Sequence, residues 1–191
     1  MDVFEAIRNR RSIRRYKPDP LDDKTVQAIL EAAHWAPSWG NLQCWRFITV
    51  RDPKIKSEVA GTLTKVKVDT EWVENAAAKS IKEAPVLLVL CAEKGKAGYG
   101  ADGTPDTDKG EYWFMFDVAL AMENLVLAAH AMGLGTVIIG GFDSAKMAGI
   151  LDVPPEFAVV TMTPLGVPSQ KGQVSPRKQL PEVLFKEKFG K

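Results

Sequence analysis

Two residue types that carry much of enzyme chemistry are nearly missing. The chain of 191 residues has two cysteines, Cys44 and Cys91, and two histidines, His34 and His130. The cysteines stand far apart in strand-like apolar runs with no CxxC spacing, which indicates neither a zinc site nor a disulfide framework. They are expected to be buried free thiols of a cytoplasmic protein in a reducing compartment. No Ser-His-Asp spacing exists, so no catalytic side-chain nucleophile or acid–base dyad is expected. Charge excess is absent as well: 25 Lys and Arg face 24 Asp and Glu, and nothing draws the whole chain toward nucleic acid or an anionic membrane. The stretch MDVFEAIRNRRS has no apolar signal core, and no uninterrupted apolar segment reaches bilayer length. Repeats, low-complexity tracts and linkers are also lacking, so residues 1–191 are read as one domain.

What the chain does have is one long apolar stretch, EYWFMFDVALAMENLVLAAHAMGLGTVIIGG, over residues 111–141. Ala, Leu and Met dominate its first two thirds without a proline, which favours helix. Apolar residues occupy nearly its whole circumference, as in a helix enclosed by protein or forming half of a subunit interface. Asp117, Glu123, Asn124 and His130 are spaced along it and argue against a membrane span. His130 is read as a hydrogen-bonded core residue. Gly133 should end the helix. The β-branched run that follows closes on Gly140 and Gly141, either as a tight turn or as bare backbone delivered to a ligand.

Elsewhere helices and strands alternate. Residues 2–9 read as a short helix capped by Asp2, with Val3, Phe4 and Ile7 on one face. Six cations then fall within ten residues, Arg8, Arg10, Arg11, Arg14, Arg15 and Lys17, with no acid among them. Such a decade is a solvated basic edge, a nucleic-acid patch without any basic face to extend it, or a grip for phosphate in which Ser12 adds a hydroxyl. A helix capped by Asp22 or Asp23 should run to about Ala36, where Pro37 ends it. Residues 37–43 form a polar loop suited either to a simple turn or to a flat heteroaromatic ligand. Helices are expected over 54–63 and 70–83, and strands over 44–50, 86–92 and 157–165. The 86–92 run is uniformly apolar, as in a strand buried on both faces. Residues 93–110 make a polar, glycine-rich insertion of the length used for lids, binding loops or disordered segments. Within it Gly98, Gly100 and Gly103 match G-x-G-x-x-G, but no strand delivers the first glycine and no helix opens at the last, so it is not a dinucleotide fingerprint. The class is mixed α and β around a sheet.

Four stretches then occur in a telling order: Arg10-Arg11-Ser12-Ile13-Arg14, Ala36-Pro37-Ser38-Trp39-Gly40-Asn41-Leu42-Gln43-Cys44-Trp45-Arg46-Phe47, Gly133-Leu134-Gly135-Thr136, and Arg177-Lys178. Together they resemble the FMN-dependent nitroreductase family from about Phe4 to Arg177. The resemblance implies an α+β fold with a mostly antiparallel central sheet packed by helices, in an intertwined homodimer with FMN at the interface. It implies that Arg10, Ser12 and Arg177 hold the FMN phosphate, with Arg11 and Lys178 nearby, and that Arg14 faces the pyrimidine edge of the ring. Pro37, Ser38, Trp39 and Asn41 would line the ring from the other subunit, and Ile139, Gly140 and Gly141 would bring backbone to flavin N5. Lys79 matches a second cation near the ring in some members. Cys44 stands where the family often has proline. The implied activity is ping-pong hydride transfer from NADH or NADPH, by way of FMN, to a nitroaromatic, quinone, flavin or enone. Reductive dehalogenation, FMN degradation and a non-catalytic flavin-binding module are the alternatives. No nucleic acid, membrane or metal enters this expectation.

Overall fold

Strand β4 (Val86–Glu93) is the axis of the molecule, and its uniform apolarity has a direct cause. In the computed structural model, which describes residues 1–190, Val86, Leu88, Leu90 and Ala92 point into one core while Leu87, Val89 and Cys91 point into another. Side chains alternate across a strand, so each face of β4 serves its own helical layer. The sheet order is β1 (Trp45–Val50), β4, β6 (Phe157–Gly166) and β5 (Gly135–Thr136), antiparallel throughout. Continuous apolar strands belong most often to parallel sheets; here helices on both faces produce the same pattern in an antiparallel one.

One face is covered by α2 (Asp23–His34) and α5 (Trp113–Ala131). The other is covered by α3 (Pro53–Ala60), α4 (Ala77–Glu83) and α6 (Ser144–Ile150). Capping follows the sequence closely. Asp2 caps α1 (Val3–Asn9), Asp22 caps α2, Asp52 caps α3 and Asp143 caps α6, each carboxylate accepting from a backbone N–H of its first turn. Gly133 is left-handed, φ 77°, and terminates α5 as expected.

Several boundaries differ from the sequence reading. Residues 70–83 are not one helix: Val66–Val68 (β2) and Glu71–Val73 (β3) pair as a ribbon through left-handed Asp69, and only Ala77–Glu83 is helical. The alternating β-branched residues win there, and just before α4 the Asn75 side chain accepts from Ala77 N–H at 3.0 Å. Helices α2 and α3 stop at His34 and Ala60, short of the expected ends. The strand over 135–141 pairs regularly only at Gly135 and Thr136, with one further bridge from Ile139 to Met162. The 93–110 insertion is ordered by its own hydrogen bonds, with Tyr99 bridging Pro105 and a Cβ on Gly98 colliding with Gly110 and Trp113.

A second group of differences shares one cause. The stretch Gly110–Ala131 is apolar and long enough to cross a membrane by length and composition. Its inner side, Asp117, Val118, Ala121, Met122, Leu125, Val126 and Ala129, is packed in the core. Its outer side leaves Tyr112, Met115 and Phe116 exposed, so a single chain does not enclose this helix. The apolar face of α1 is uncovered in the same way: Val3, Phe4 and Ile7 are exposed and only Ala6 is buried. Residues of the C-terminal segment, Val174, Leu180 and Phe189 among them, are exposed too.

Candidate functional site

The basic decade is fastened to the sheet while Arg8, Arg14 and Lys17 stay exposed. After α1 the chain runs extended across the end of the sheet, where Ser12 bridges Thr136 and Ile13 N–H donates to the Thr136 carbonyl at 2.8 Å. Tyr16 bridges Pro168, and Lys17 N–H donates to the Val167 carbonyl at 2.9 Å. Extended backbone alternates its side chains. Ile13 turns inward and is buried, whereas Ser12 and Arg14 on either side of it line a cavity together with Arg10. Tyr16 is buried as well, out of step with that alternation. The Tyr16 hydroxyl donates to the Ile13 carbonyl at 2.5 Å, and burial pushes its pKa up.

Two paired glycines receive this strap. Gly135 and Gly166 face each other across β5 and β6. A Cβ on Gly135 would lie 2.7 Å from Ile13 Cγ2, and one on Gly166 would lie 2.7 Å from Pro85 Cδ and 3.0 Å from Tyr16 Cδ1. The absence of side chains at these two positions lets the strap lie flat on the sheet.

The cavity above the strap encloses about 990 Å³ and is closed by the C-terminal segment through Gln170, Lys171, Gln173, Ser175 and Arg177. Its cations are Arg8, Arg10, Arg11, Arg14, Lys171 and Arg177, and no carboxylate lines it. Arg11 is partly committed: its Nη1 donates to the carbonyls of Arg8 at 2.6 Å and Arg10 at 2.7 Å, satisfying the end of α1. The others have no ion-pair partner among the described residues. A set of unpaired guanidinium groups with a serine hydroxyl and no acid suits a phosphate.

The structure therefore brings Arg10, Arg11, Ser12, Arg14 and Arg177 together. Lys178, Lys79, Ile139, Gly140 and Gly141 do not line the cavity, nor do Pro37, Ser38, Trp39 and Asn41. Lys79 lies 3.6 Å from Glu83, which also pairs with Arg15 at 3.1 Å. Gly141 accepts from Thr64 N–H at 3.0 Å, which ties it to the base of the β2–β3 ribbon. The 37–43 loop is fastened to α5, where both Asp117 carboxylate oxygens accept from Trp39 N–H at 3.2 and 3.1 Å.

Lys171 was missed as a cavity residue, since it lies in a segment without periodicity. Arg8 was counted in the basic decade but not among the residues the resemblance assigns to the phosphate. His130 requires a correction. Its Nε2 is buried without a hydrogen-bond partner among the described residues, and the residue as a whole is half-buried rather than in the core. Burial lowers its pKa, and Arg10 and Arg11 lower it further while Glu5 opposes them. It stands beside the basic strap at the last turn of α5.

The pattern that defines the Nitroreductase family matches residues 7–167. The chain belongs to the nitroreductase family. Among its relatives is an NADH dehydrogenase of Thermus thermophilus, 31% identical, aligned over 97% of this chain and 96% of that one. A 5,6-dimethylbenzimidazole synthase of Rhodospirillum rubrum is 32% identical over 85% of this chain and 80% of its own. A solved nitroreductase in complex with FMN from Desulfovibrio desulfuricans superposes with a TM-score of 0.78 at 29% identity, covering 99% of this chain and 98% of that one. The nitroreductase fold, with its mostly antiparallel sheet and helices on both faces, is thus common to chain and family.

Proposed function

We propose that this nitroreductase-family chain is an FMN-dependent oxidoreductase that uses NADH or NADPH to reduce a nitroaromatic, quinone, flavin or enone. The observation that carries this reading is the acid-free cavity of Arg10, Ser12, Arg14 and Arg177. Its donors fit a phosphate dianion, and two guanidinium groups able to bind in paired fashion would fix its orientation. The FMN complex of the Desulfovibrio desulfuricans nitroreductase and the name of the Thermus thermophilus relative support the same cofactor and donor classes. When bound, FMN would supply the hydride chemistry that links the nicotinamide to the acceptor, in the ping-pong order proposed here.

The protein's part is to bind, orient and tune. Arg10, Ser12 and Arg177 would hold the phosphate, with Arg11 and Lys178 beside them. Arg14 would place a positive charge at the pyrimidine edge, where reduction accumulates negative charge. Ile139, Gly140 and Gly141 would offer backbone to N5, and Lys79 a second cation near the ring.

Pro37, Ser38, Trp39 and Asn41 would line the ring from a second copy of the chain, an arrangement supported by distance. The loop is anchored at Asp117, whereas the strap lies beside His130. Thirteen helical residues separate those positions, which is about 20 Å along α5, so one chain does not bring loop and cavity together. The exposed apolar faces of α1, α5 and the C-terminal segment supply the surface for that homodimer.

The relative named as a 5,6-dimethylbenzimidazole synthase favours a second reading, in which the bound flavin is degraded. Anaerobic addition of NADPH and then NADH to FMN-loaded protein separates the two. Bleaching followed by full recovery of FMN on adding a quinone supports the oxidoreductase; loss of flavin to other products supports the second reading. Replacing both Arg10 and Arg177 by alanine should weaken FMN binding by at least a hundredfold, since each charged hydrogen bond contributes roughly 1.5–3 kcal/mol. Unchanged FMN affinity in that double variant would refute the phosphate assignment.

A further inference from the structure

Asp117 is an unusual residue for its place. It is 1% exposed on a mainly apolar helix, on the side that packs into the core, and no cation pairs with it among the described residues. A leucine there would fill the space without the desolvation cost of a carboxylate. What the carboxylate does that leucine would not is accept hydrogen bonds from the 37–43 loop. Both its oxygens accept from Trp39 N–H, and the Cys44 thiol lies 3.6 Å from Oδ2. One turn earlier on the same helix, Trp113 packs edge-on against the Trp39 ring with centroids 4.7 Å apart.

The loop needs such a fastening. Gly40, Asn41 and Gln43 are all left-handed, with φ of 51°, 58° and 50°. For the two non-glycine residues this conformation costs on the order of 1 kcal/mol each and persists only under restraint from outside. Three further bonds are internal: Gln43 N–H to Ser38 Oγ at 2.9 Å, Asn41 N–H to the Ser38 carbonyl at 3.1 Å, and Leu42 N–H to the Trp39 carbonyl at 2.9 Å. At the loop's end Arg46 Nη1 of β1 donates to the Gln43 carbonyl at 3.3 Å. The link from the turn to the helix α5 runs through Trp39 to Asp117.

We infer that Asp117 is a positioning residue for the flavin ring: by holding Trp39 N–H it fixes where the backbone and side chains of Ser38 and Asn41 meet the ring in the neighbouring subunit's site. This rests on the FMN reading above. Asp117 touches no reacting atom; it acts through the loop. Cys44, in the position where the family often has proline, adds a second, weaker donor to the same carboxylate.

The test uses full-length protein loaded with FMN. Asp117→Leu, which keeps the volume and removes the acceptor, should shift the visible absorbance bands and the midpoint potential of the bound flavin. It should also weaken FMN by about tenfold, the scale of one buried hydrogen-bond partner lost. Asp117→Asn, which can still accept from Trp39 N–H, should keep the wild-type spectrum and most of the affinity. A fold defect alone would lower the fraction of protein that binds without moving the spectrum of the flavin that is bound. Arg10→Ala supplies the contrast, weakening binding with the bands in place. If the leucine variant does not fold, Asp117→Glu decides, because it keeps the charge but moves the acceptor by one methylene and should shift the bands. A folded leucine or glutamate variant with wild-type spectrum and potential overturns the inference. Wild-type protein that fails to bind FMN overturns the reading beneath it.

Discussion

Replacing Gly135 by alanine tests how the arginine strap is held. Gly135 has no left-handed φ, so alanine introduces no backbone strain and the effect is one of volume. The added Cβ would sit 2.7 Å from Ile13 Cγ2, 2.8 Å from its Cβ and 3.0 Å from its Cγ1, against 3.4–4 Å for ordinary contact. Because the Ile13 Cβ is itself among the crowded atoms, no rotamer relieves the overlap and the strap backbone has to lift by about 0.7 Å. The bond from Ile13 N–H to the Thr136 carbonyl, now 2.8 Å, would stretch to the limit of hydrogen bonding. Overpacking of this kind costs roughly 1–3 kcal/mol, which for a domain of this size lowers the melting temperature by about 2–12 °C. Ser12 and Arg14 flank Ile13, so FMN affinity should fall along with stability. Thermal melts read by circular dichroism and FMN titration by fluorescence quenching measure the two effects. Adding Ile13→Ala removes both Cγ atoms, and the double variant should lose less than the sum of the single losses. A Gly135→Ala protein that melts and binds FMN like wild type would show that the strap is not seated on Gly135.

Other consequences follow from burial. Burial pushes the Cys44 thiol up to about 12, with Asp117 adding to the shift, and pushes Cys91 up to about 11. Both should resist iodoacetamide in native protein at pH 8 and react fully in guanidinium; native labelling of either contradicts their placement. Desolvation raises the Asp117 pKa above the ordinary 3.8. Its contribution is therefore present below pH 3.8 and lost as pH rises through the folded value, while asparagine does not titrate. The stability advantage of wild type over Asp117→Asn should shrink between pH 4 and pH 8 in paired melts; an advantage that grows with pH refutes the assignment. Phe116 is 55% exposed on the outer face of α5. Phe116→Glu should shift sedimentation velocity toward monomer, and a wild-type protein already monomeric would refute the homodimer.

The parts legible in the chain are those in which local chemistry and tertiary role agree. Aspartate caps announce their helices because the interaction spans three residues, and Arg10 to Arg14 announce a local cluster of like charge without saying what balances it. The β2–β3 ribbon was hidden because Val66, Val68 and Val73 lie beside a genuine helix former, Ala76-Ala77-Ala78, and the two signals merge in one window. Gly135 and Gly166 look like turn residues, yet their purpose is contact with Ile13, Tyr16 and Pro85. The uncovered face of α1 was illegible, and that of α5 legible only as one of two readings, for a different reason. Periodicity says that an apolar face must be buried but not by which chain. Asp117 shows the same limit in reverse: an acid on an apolar helix reads as an interruption until Trp39, 78 residues away in sequence, is seen to donate to it. That bond places the 37–43 loop at one end of α5 and leaves the arginine cavity at the other. Under the proposed reading, a cofactor that needs both ends would require two copies of α5 in contact, and exposed Tyr112, Met115 and Phe116 would be covered there.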